Sequence, residues 1–273
     1  MRNTSLDVLH AWAPPPPISG IGSILSPLDV LPYERHAKEL LEESIARELG
    51  RLGGSPPMIV PTLTRGHTPT ELLDAAKRAQ LLVVGTRGRG GFRGLLFGSV
   101  SQQCSLHATT PVAVVPEGAA LSDGGEVVVG VDGSAGAATA LRWAVEEAVA
   151  RGAKLCVVNA WNFDATTAPA DYRYAASHWK TFSRQSHEMV RQEVEHVVAA
   201  VGASPVAVDR VSLNQPPVQA LLGRAGRDGL LVVGSRGRGG FAGLMLGSVS
   251  QHCLHHADCA VVVVPHSNER SAT

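Results

Sequence analysis

Gly85-Thr-Arg-Gly88-Arg-Gly-Gly-Phe92 returns as Gly234-Ser-Arg-Gly237-Arg-Gly-Gly-Phe241, 149 residues later. The same offset carries Leu81-Leu-Val-Val84 onto Leu230-Leu-Val-Val233 and Gly98-Ser-Val-Ser-Gln102 onto Gly247-Ser-Val-Ser-Gln251. It also carries Pro111-Val-Ala-Val-Val-Pro116 onto residues 260–265, and residues 6–12 onto 155–161. A period this long marks a duplicated domain, since solenoid repeats run to roughly 20–45 residues. The Gly-, Ser- and Asp-bearing stretch 117–125 reads as a linker between domains at 1–116 and 126–266, with 267–273 as a tail.

Each half alternates strand and helix signals. In the second half, the apolar run 127–131 precedes a helix at 137–151, where Ala140, Leu141, Ala144, Val145 and Ala148 share one face. A strand at 155–160, a long helix at 175–201 and a strand at 206–211 follow. Then come a helix at 217–225, a strand at 230–234, a helix at 248–256 and a strand at 260–264. Strands apolar throughout, alternating with helices, mean a parallel sheet covered on both faces. The expected class is α/β, two tandem doubly wound parallel sheets, each binding ligand outside the carboxyl ends of its strands.

Composition narrows the function. The 273 residues carry 24 Lys+Arg against 24 Asp+Glu, a formal charge of zero. That balance argues against a broad nucleic-acid or anionic-membrane surface. No apolar run approaches the length of a spanning helix, and Asp7, His10 and the run Pro14-Pro-Pro-Pro17 interrupt any signal-peptide pattern. Cys104, Cys156, Cys253 and Cys259 form no C-x-x-C motif and read as reduced thiols in a cytoplasmic protein.

The glycine loop after the fourth strand is the main chemical feature. Gly234, Gly237, Gly239, Gly240 and Gly243 precede Gly247-Ser248, where a helix begins. Glycines let backbone N–H groups approach a ligand, and a helix N-terminus favours an anion such as phosphate. Arg236 or Arg238 could add charge; the alternative is a plain strand-to-helix connector. No Gly-Lys-Ser/Thr occurs, so this is not a Walker loop. The G-x-G-x-x-A match at Gly237, Gly239 and Ala242 lies too far before the helix to be a dinucleotide fingerprint. A phosphoacceptor receiver domain would need clustered acids at the strand ends, where only Asp132 is suitably placed.

These residues resemble the universal stress protein family. Gly234-x-x-Gly237, nine residues, then Gly247-Ser248 is its G-x-x-G-(nine)-G-S/T pattern, and Gly85, Gly88, Gly98 and Ser99 repeat it. Val129-Gly-Val-Asp-Gly-Ser134 looks like the family's opening strand and loop. The resemblance implies tandem flavodoxin-like domains of strand order 3-2-1-4-5 that bind ATP, with or without Mg2+. It implies that Asp132, beside Gly130 and Val131, meets the nucleoside and that Ala160 offers backbone to the adenine. Val233 and Gly234 would flank the ribose and adenine, while Arg236, Gly237, Gly247, Ser248 and Val249 would line the phosphates. Val233 and Arg236 stand where the family often has methionine. Asp132 has a second reading, as a cap for helix 137–151.

No activated nucleophile or acid–base pair is visible, so the expected role is an ATP-binding stress sensor or regulator with little or no turnover. The rivals are a slow ATP-hydrolysing enzyme and a scaffold that binds no nucleotide. His252, His255 and His256 share one helix and read as a solvated or partly packed face rather than a metal site. Trp12 and Trp161 are expected in the core or at a pocket rim. The apolar terminal strands 112–115 and 260–264 would lie at sheet edges, which invite pairing. The resemblance implies that the two repeats meet there within one chain, and two chains could associate further as a dimer. Carried back by 149 residues, the strand and helix at 127–151 fall ahead of the chain or barely at its start. The first repeat is therefore expected to lack its opening strand and helix, either because Met1 is internal to a longer product or because this repeat is a degenerate support.

Overall fold

A computed structural model describes residues 5–14, 27–52, 56–86, 97–119, 125–161, 172–202, 206–238 and 245–266. Contacts divide the chain into two units, residues 1–78 and 79–273.

In the first unit, β1 (Leu6–Trp12) and β2 (Ile59–Arg65) form a parallel pair in register from Leu6↔Ile59 to Trp12↔Arg65. They are joined through α1 (Pro27–Leu49), and α2 (Thr68–Ala76) follows. Trp12, Val30 and Ala37 form the buried core, with Leu63 against it. Trp12 is thus a core residue, and the Arg65 guanidinium lies 5.7 Å from its ring centroid.

The second unit holds the remaining elements. From the first repeat come β3 (Leu82–Gly85), α3 (Ser99–His107) and β4 (Val112–Val115). The second repeat then supplies β5 (Val127–Gly130), α4 (Ala135–Arg151), β6 (Leu155–Trp161), α5 (Tyr172–Val201) and β7 (Val208–Asn214). It ends with α6 (Pro217–Ala225), β8 (Leu230–Gly234), α7 (Ser248–His256) and β9 (Ala260–Val264). One seven-stranded sheet runs β3-β4-β9-β8-β5-β6-β7, so the second repeat has the expected order 3-2-1-4-5. Every pairing in it is parallel except β4 with β9, which is antiparallel through Val112↔Val263, Ala113↔Val262 and Val114↔Val261.

This junction differs from two free-standing sheets. The first repeat's β1 and β2 pair only with each other among the described residues, and β3–β4 extends the sheet of the second repeat. Burial explains the central strands: Val127, Val128 and Val129 of β5 and Leu231 and Val232 of β8 are fully buried. Helices α4 and α5 pack together on one face, and α6 and α7 on the other. Helix α4 starts two residues earlier than the apolar spacing predicts, because Ser134 caps it by accepting the Ala137 N–H at 3.2 Å. It ends at Gly152, in the left-handed conformation (φ 61°) that glycine tolerates without strain. Strand β7 lies at 208–214 rather than 206–211, because its ladder with β6 continues to Trp161↔Asn214. A ladder on a polar edge strand leaves little hydrophobic signal in the sequence. Among the described residues no helix is long and apolar enough to cross a membrane.

Candidate nucleotide-binding cleft

The carboxyl ends of β5, β6 and β8 and the start of α7 enclose a cleft of about 480 Å³. β5 contributes Gly130, with Val131 and Asp132 just beyond it; β6 contributes Ala160; β8 contributes Val233 and Gly234. The loop after β8 adds Arg236 and Gly237, and Gly247, Ser248 and Val249 close the wall. The structure thus brings together all eleven second-repeat residues singled out from the sequence. It adds Ala137, Val158, Pro217, Leu221 and Ser250, which no motif signalled. Of these, Leu221 on α6 sits where a Cβ at Gly130 would come within 3.1 Å of its methyls. The apolar side of the cleft is therefore built partly by a helix with no place in the glycine pattern.

Asp132 does not cap α4; Ser134 does. The Ser134 N–H donates to Asp132 Oδ1 at 3.0 Å, and the Arg238 N–H donates to Asp132 Oδ2 at 2.8 Å. One carboxylate thus ties the loop after β5 to the loop after β8. A Cβ at Gly237 would strike Asp132 Oδ2, so this bridge requires glycine there. Close backbone crossings complete the joint. A Cβ on Gly136 would lie 2.5 Å from the Arg236 carbonyl oxygen, and one on Gly234 would lie 2.8 Å from that of Gly136. Gly247 is different: a Cβ there meets nothing nearer than 3.5 Å, and its φ is −74°. A methyl there would make only ordinary contacts with the backbone of Ser235, Arg236 and Gly237.

Helix α7 begins with its first-turn N–H groups toward this wall, and no side chain among the described residues caps it at Gly247. The Gly247 N–H donates to the Ser235 carbonyl at 2.7 Å, and Ser250 Oγ donates to the Gly234 carbonyl at 2.6 Å, which fixes the helix start on β8. An uncapped helix N-terminus beside Arg236 is chemically suited to an anion. Behind the β5 loop, buried Asn159 donates its Nδ2–H to the Val131 carbonyl at 2.7 Å. Ser186 donates to Asn159 Oδ1 at 2.6 Å, and Trp161 Nε1–H donates to Ser212 Oγ at 3.0 Å. Trp161 therefore supports β7 rather than forming part of the cleft wall. Glu193 on α5 has its Oε2 buried with no hydrogen-bond partner among the described residues. Burial raises its carboxyl above the usual range and the Asp132 charge raises it further, while Arg238 opposes both.

The first-repeat loop copies the helix start alone. The Gly98 N–H donates to the Thr86 carbonyl at 2.7 Å, and α3 begins at Ser99 with no side-chain cap among the described residues. Gly85 ends β3, at the edge of the sheet. Gly88, the arginines at 87, 89 and 93, the glycines at 239, 240 and 243, Ala242, the Pro14–Pro17 run beyond Pro14, most of the linker and the 267–273 tail lie outside the described residues. His252 is exposed with its Nδ1 2.7 Å from the Ser248 carbonyl, and His255 packs on Phe97 with ring centroids 5.1 Å apart. Among the described residues the only cluster of metal-type ligands is Glu126, Cys156 and Asp209. It already surrounds a cation: Arg224 Nη2 contacts both carboxylates at 2.8 Å, and Arg224 Nε contacts Cys156 Sγ at 3.1 Å.

Comparison with known proteins bears on the family and the fold. The universal stress protein family model matches residues 1–116 and 125–265. Universal stress protein Rv2623 of Mycobacterium tuberculosis is 29% identical over 275 residues, covering 98% of this chain and 89% of its own length. A universal stress protein of Mycolicibacterium smegmatis is 34% identical over 234 residues, covering 84% of this chain and 76% of its own. Among solved structures, a universal stress protein from Archaeoglobus fulgidus superposes with a TM-score of 0.61 at 21% identity, covering 96% of this chain and 88% of that one. With the family model matched twice in tandem, the chain belongs to the universal stress protein family.

Proposed function

We propose that the second repeat binds ATP, with or without Mg2+, and that the protein acts as a nucleotide-responsive stress regulator in the cytoplasm rather than as an enzyme of high turnover. One observation carries this reading: residues scattered from Gly130 to Val249 line a single cleft that joins an apolar wall to an uncapped helix N-terminus. In this reading the apolar wall, including Val158 and Leu221, takes the adenine. Asp132 has oxygens left to accept from the ribose hydroxyls, and each carboxylate oxygen can accept more than one hydrogen bond. The α7 N–H groups and Arg236 take the phosphates. Among the described residues the cleft presents no nucleophile activated by an adjacent base, which is why we propose binding without efficient hydrolysis.

Extraction of nucleotide from protein purified without added ligand, followed by titration calorimetry with ATP, tests the proposal. Recovery of adenine nucleotide, or saturable ATP binding, supports it; absence of both leaves the scaffold reading standing. Sustained phosphate release above about one per second would instead identify an enzyme.

A further inference from the structure

A second cavity, about 360 Å³, lies inside the second unit where the repeats join at β4 and β9. Its polar walls are Thr110 and His107 from the first repeat, and Ser235, Arg236 and His266 from the second. Leu106, Met245 and Val263 supply an apolar side, and none of the residues lining it is acidic. The volume falls in the range of small-molecule sites.

Two features separate this cavity from an accident of packing. The His266 backbone N–H donates to Ser235 Oγ at 3.1 Å, so the residue is anchored, yet its Nδ1 is buried with no hydrogen-bond partner among the described residues. Buried polar atoms without partners are rare, and this one belongs to a residue that lines the cavity wall. The duplication supplies the other feature. Phe97 and His255 pack ring against ring, but the 149-residue offset replaces them with Leu246 and Leu106, so no second ring pair forms on this side. The same offset puts Glu117 opposite His266. The cavity thus arises where the repeats diverge, and the divergence exchanges an acid for an imidazole.

We infer that this junction cavity is a binding site for a small organic anion, with its carboxylate or phosphate on Arg236 and His266 and its apolar body against Leu106, Met245 and Val263. Arg236 also borders the cleft described above, so both sites draw on this one residue. That link rests on the proposed nucleotide function; the anion site itself does not. Coupling between the sites is negative, and each ligand weakens the other by the same factor.

The test uses the full chain without nucleotide, with benzoate and phenyl phosphate as probes and benzyl alcohol as the neutral control, followed by ligand-detected NMR. The expected result is saturable binding of at least one anion at one site per chain and none of the alcohol. The benzoate and phenyl phosphate arms decide which head group the site takes. Ala108→Trp places an indole in the cavity and should abolish binding; His266→Ala should weaken it by about tenfold, the scale of a lost charge-assisted hydrogen bond. Circular dichroism checks that both variants fold, and His266→Ala alone decides the matter if Ala108→Trp does not. Failure of both anions to bind, or binding unchanged in His266→Ala, overturns the site. Titrating ATP with and without saturating probe then reads the coupling: a severalfold loss of ATP affinity supports it, and unchanged affinity overturns the link through Arg236. If ATP does not bind at all, the nucleotide proposal and this coupling fall, while the probe data still decide the anion site.

Discussion

Asp132 accepts the backbone N–H of Arg238 at 2.8 Å across 106 positions of sequence, and so holds the loops after β5 and β8 together over the cleft. The carboxylate is both a wall of the cleft and the brace that shapes the wall opposite it. Gly237 and Gly247, equivalent in a reading of the motif, therefore do different jobs. Gly237→Ala drives a Cβ into Asp132, so it should loosen the loop and lower both stability and ATP affinity. Gly247→Ala meets only ordinary contacts at 3.5 Å, so its melting temperature should stay within a degree or two of the parent. Its ATP affinity should nonetheless fall, if the α7 N–H groups hold phosphate, because the added methyl stands beside the helix start. Thermal unfolding paired with calorimetry separates the two; equal ATP affinity in Gly247→Ala and parent would remove the phosphates from this helix start.

Asn159 is the second position that acts at a distance. Its amide joins the Val131 carbonyl to the Ser186 hydroxyl, both in a buried setting. Asn159→Ala leaves the Val131 carbonyl without its donor and should cost about 1–3 kcal/mol in urea unfolding. ATP affinity should fall as well, because Asp132 follows directly on the freed carbonyl. A variant as stable as the parent would show that water replaces the amide without loss.

The antiparallel register of β4 and β9 places Ala113 directly opposite Val262. Directly opposed residues in antiparallel strands have Cα atoms about 4.5–5.5 Å apart, within disulfide range. Ala113→Cys combined with Val262→Cys should oxidise to a cross-link within one chain, leaving the non-reducing gel at monomer mass. A ladder of dimers instead would mean that β4 and β9 pair between chains.

Burial pushes the Cys253 thiol from 9.0 up to about 12, with a smaller push from Cys259. The sign follows from which state lets go of its proton first. Below pH 9 both folded and unfolded chains keep it, and the thiol's contribution is intact. Above pH 9 the unfolded chain ionises while the folded one does not, and stability falls by up to about 1.4 kcal/mol per pH unit. Between pH 8 and pH 10.5, Cys253→Ala should lose about 2 kcal/mol less than the parent in urea unfolding. Equal losses would place the alkaline sensitivity elsewhere.

The duplication and the apolar strands made the strand order of the second repeat legible, because buried parallel strands announce themselves as unbroken Val and Leu runs. The cleft residues were legible for a related reason: glycines and a Gly-Ser helix start carry their chemistry in the backbone, close to the sequence. Leu221, Pro217 and Asn159 were not. Leu221 and Pro217 sit on α6, where nothing local distinguishes a residue facing the cleft from an ordinary core position, and Asn159 lies within β6, where its bond to the Val131 carbonyl exists only across the folded sheet. The reading of Asp132 as a helix cap failed because Ser134, two residues on, has the same chemistry and the better position. The true partner of Asp132, the Arg238 N–H, is a contact that only the folded sheet creates.

One chain is expected to hold one nucleotide, not two. The two helix starts are locally alike: Gly98 and Gly247 each donate to the carbonyl twelve residues earlier in their own repeat, Thr86 and Ser235, at the same 2.7 Å. Their surroundings differ. Strand β8 has β5 on its far side, and β5 delivers Gly130, Val131 and Asp132 to the cleft. Strand β3 is the last strand of its sheet, with no neighbour on that side among the described residues. Among the described residues of the second unit, the first-repeat helix start has no strand beside β3 to bring it a counterpart of Asp132, so it is expected to hold at most an anion at low affinity. Calorimetry with ATP should give about one site per chain for the protein of this sequence. Ser99→Ala and Gly98→Ala should leave that site untouched, whereas Gly247→Ala should weaken it. Two sites of similar affinity, with one lost on substitution of Gly98, would show that the first repeat completes a nucleotide pocket by a route its strand pairing does not suggest.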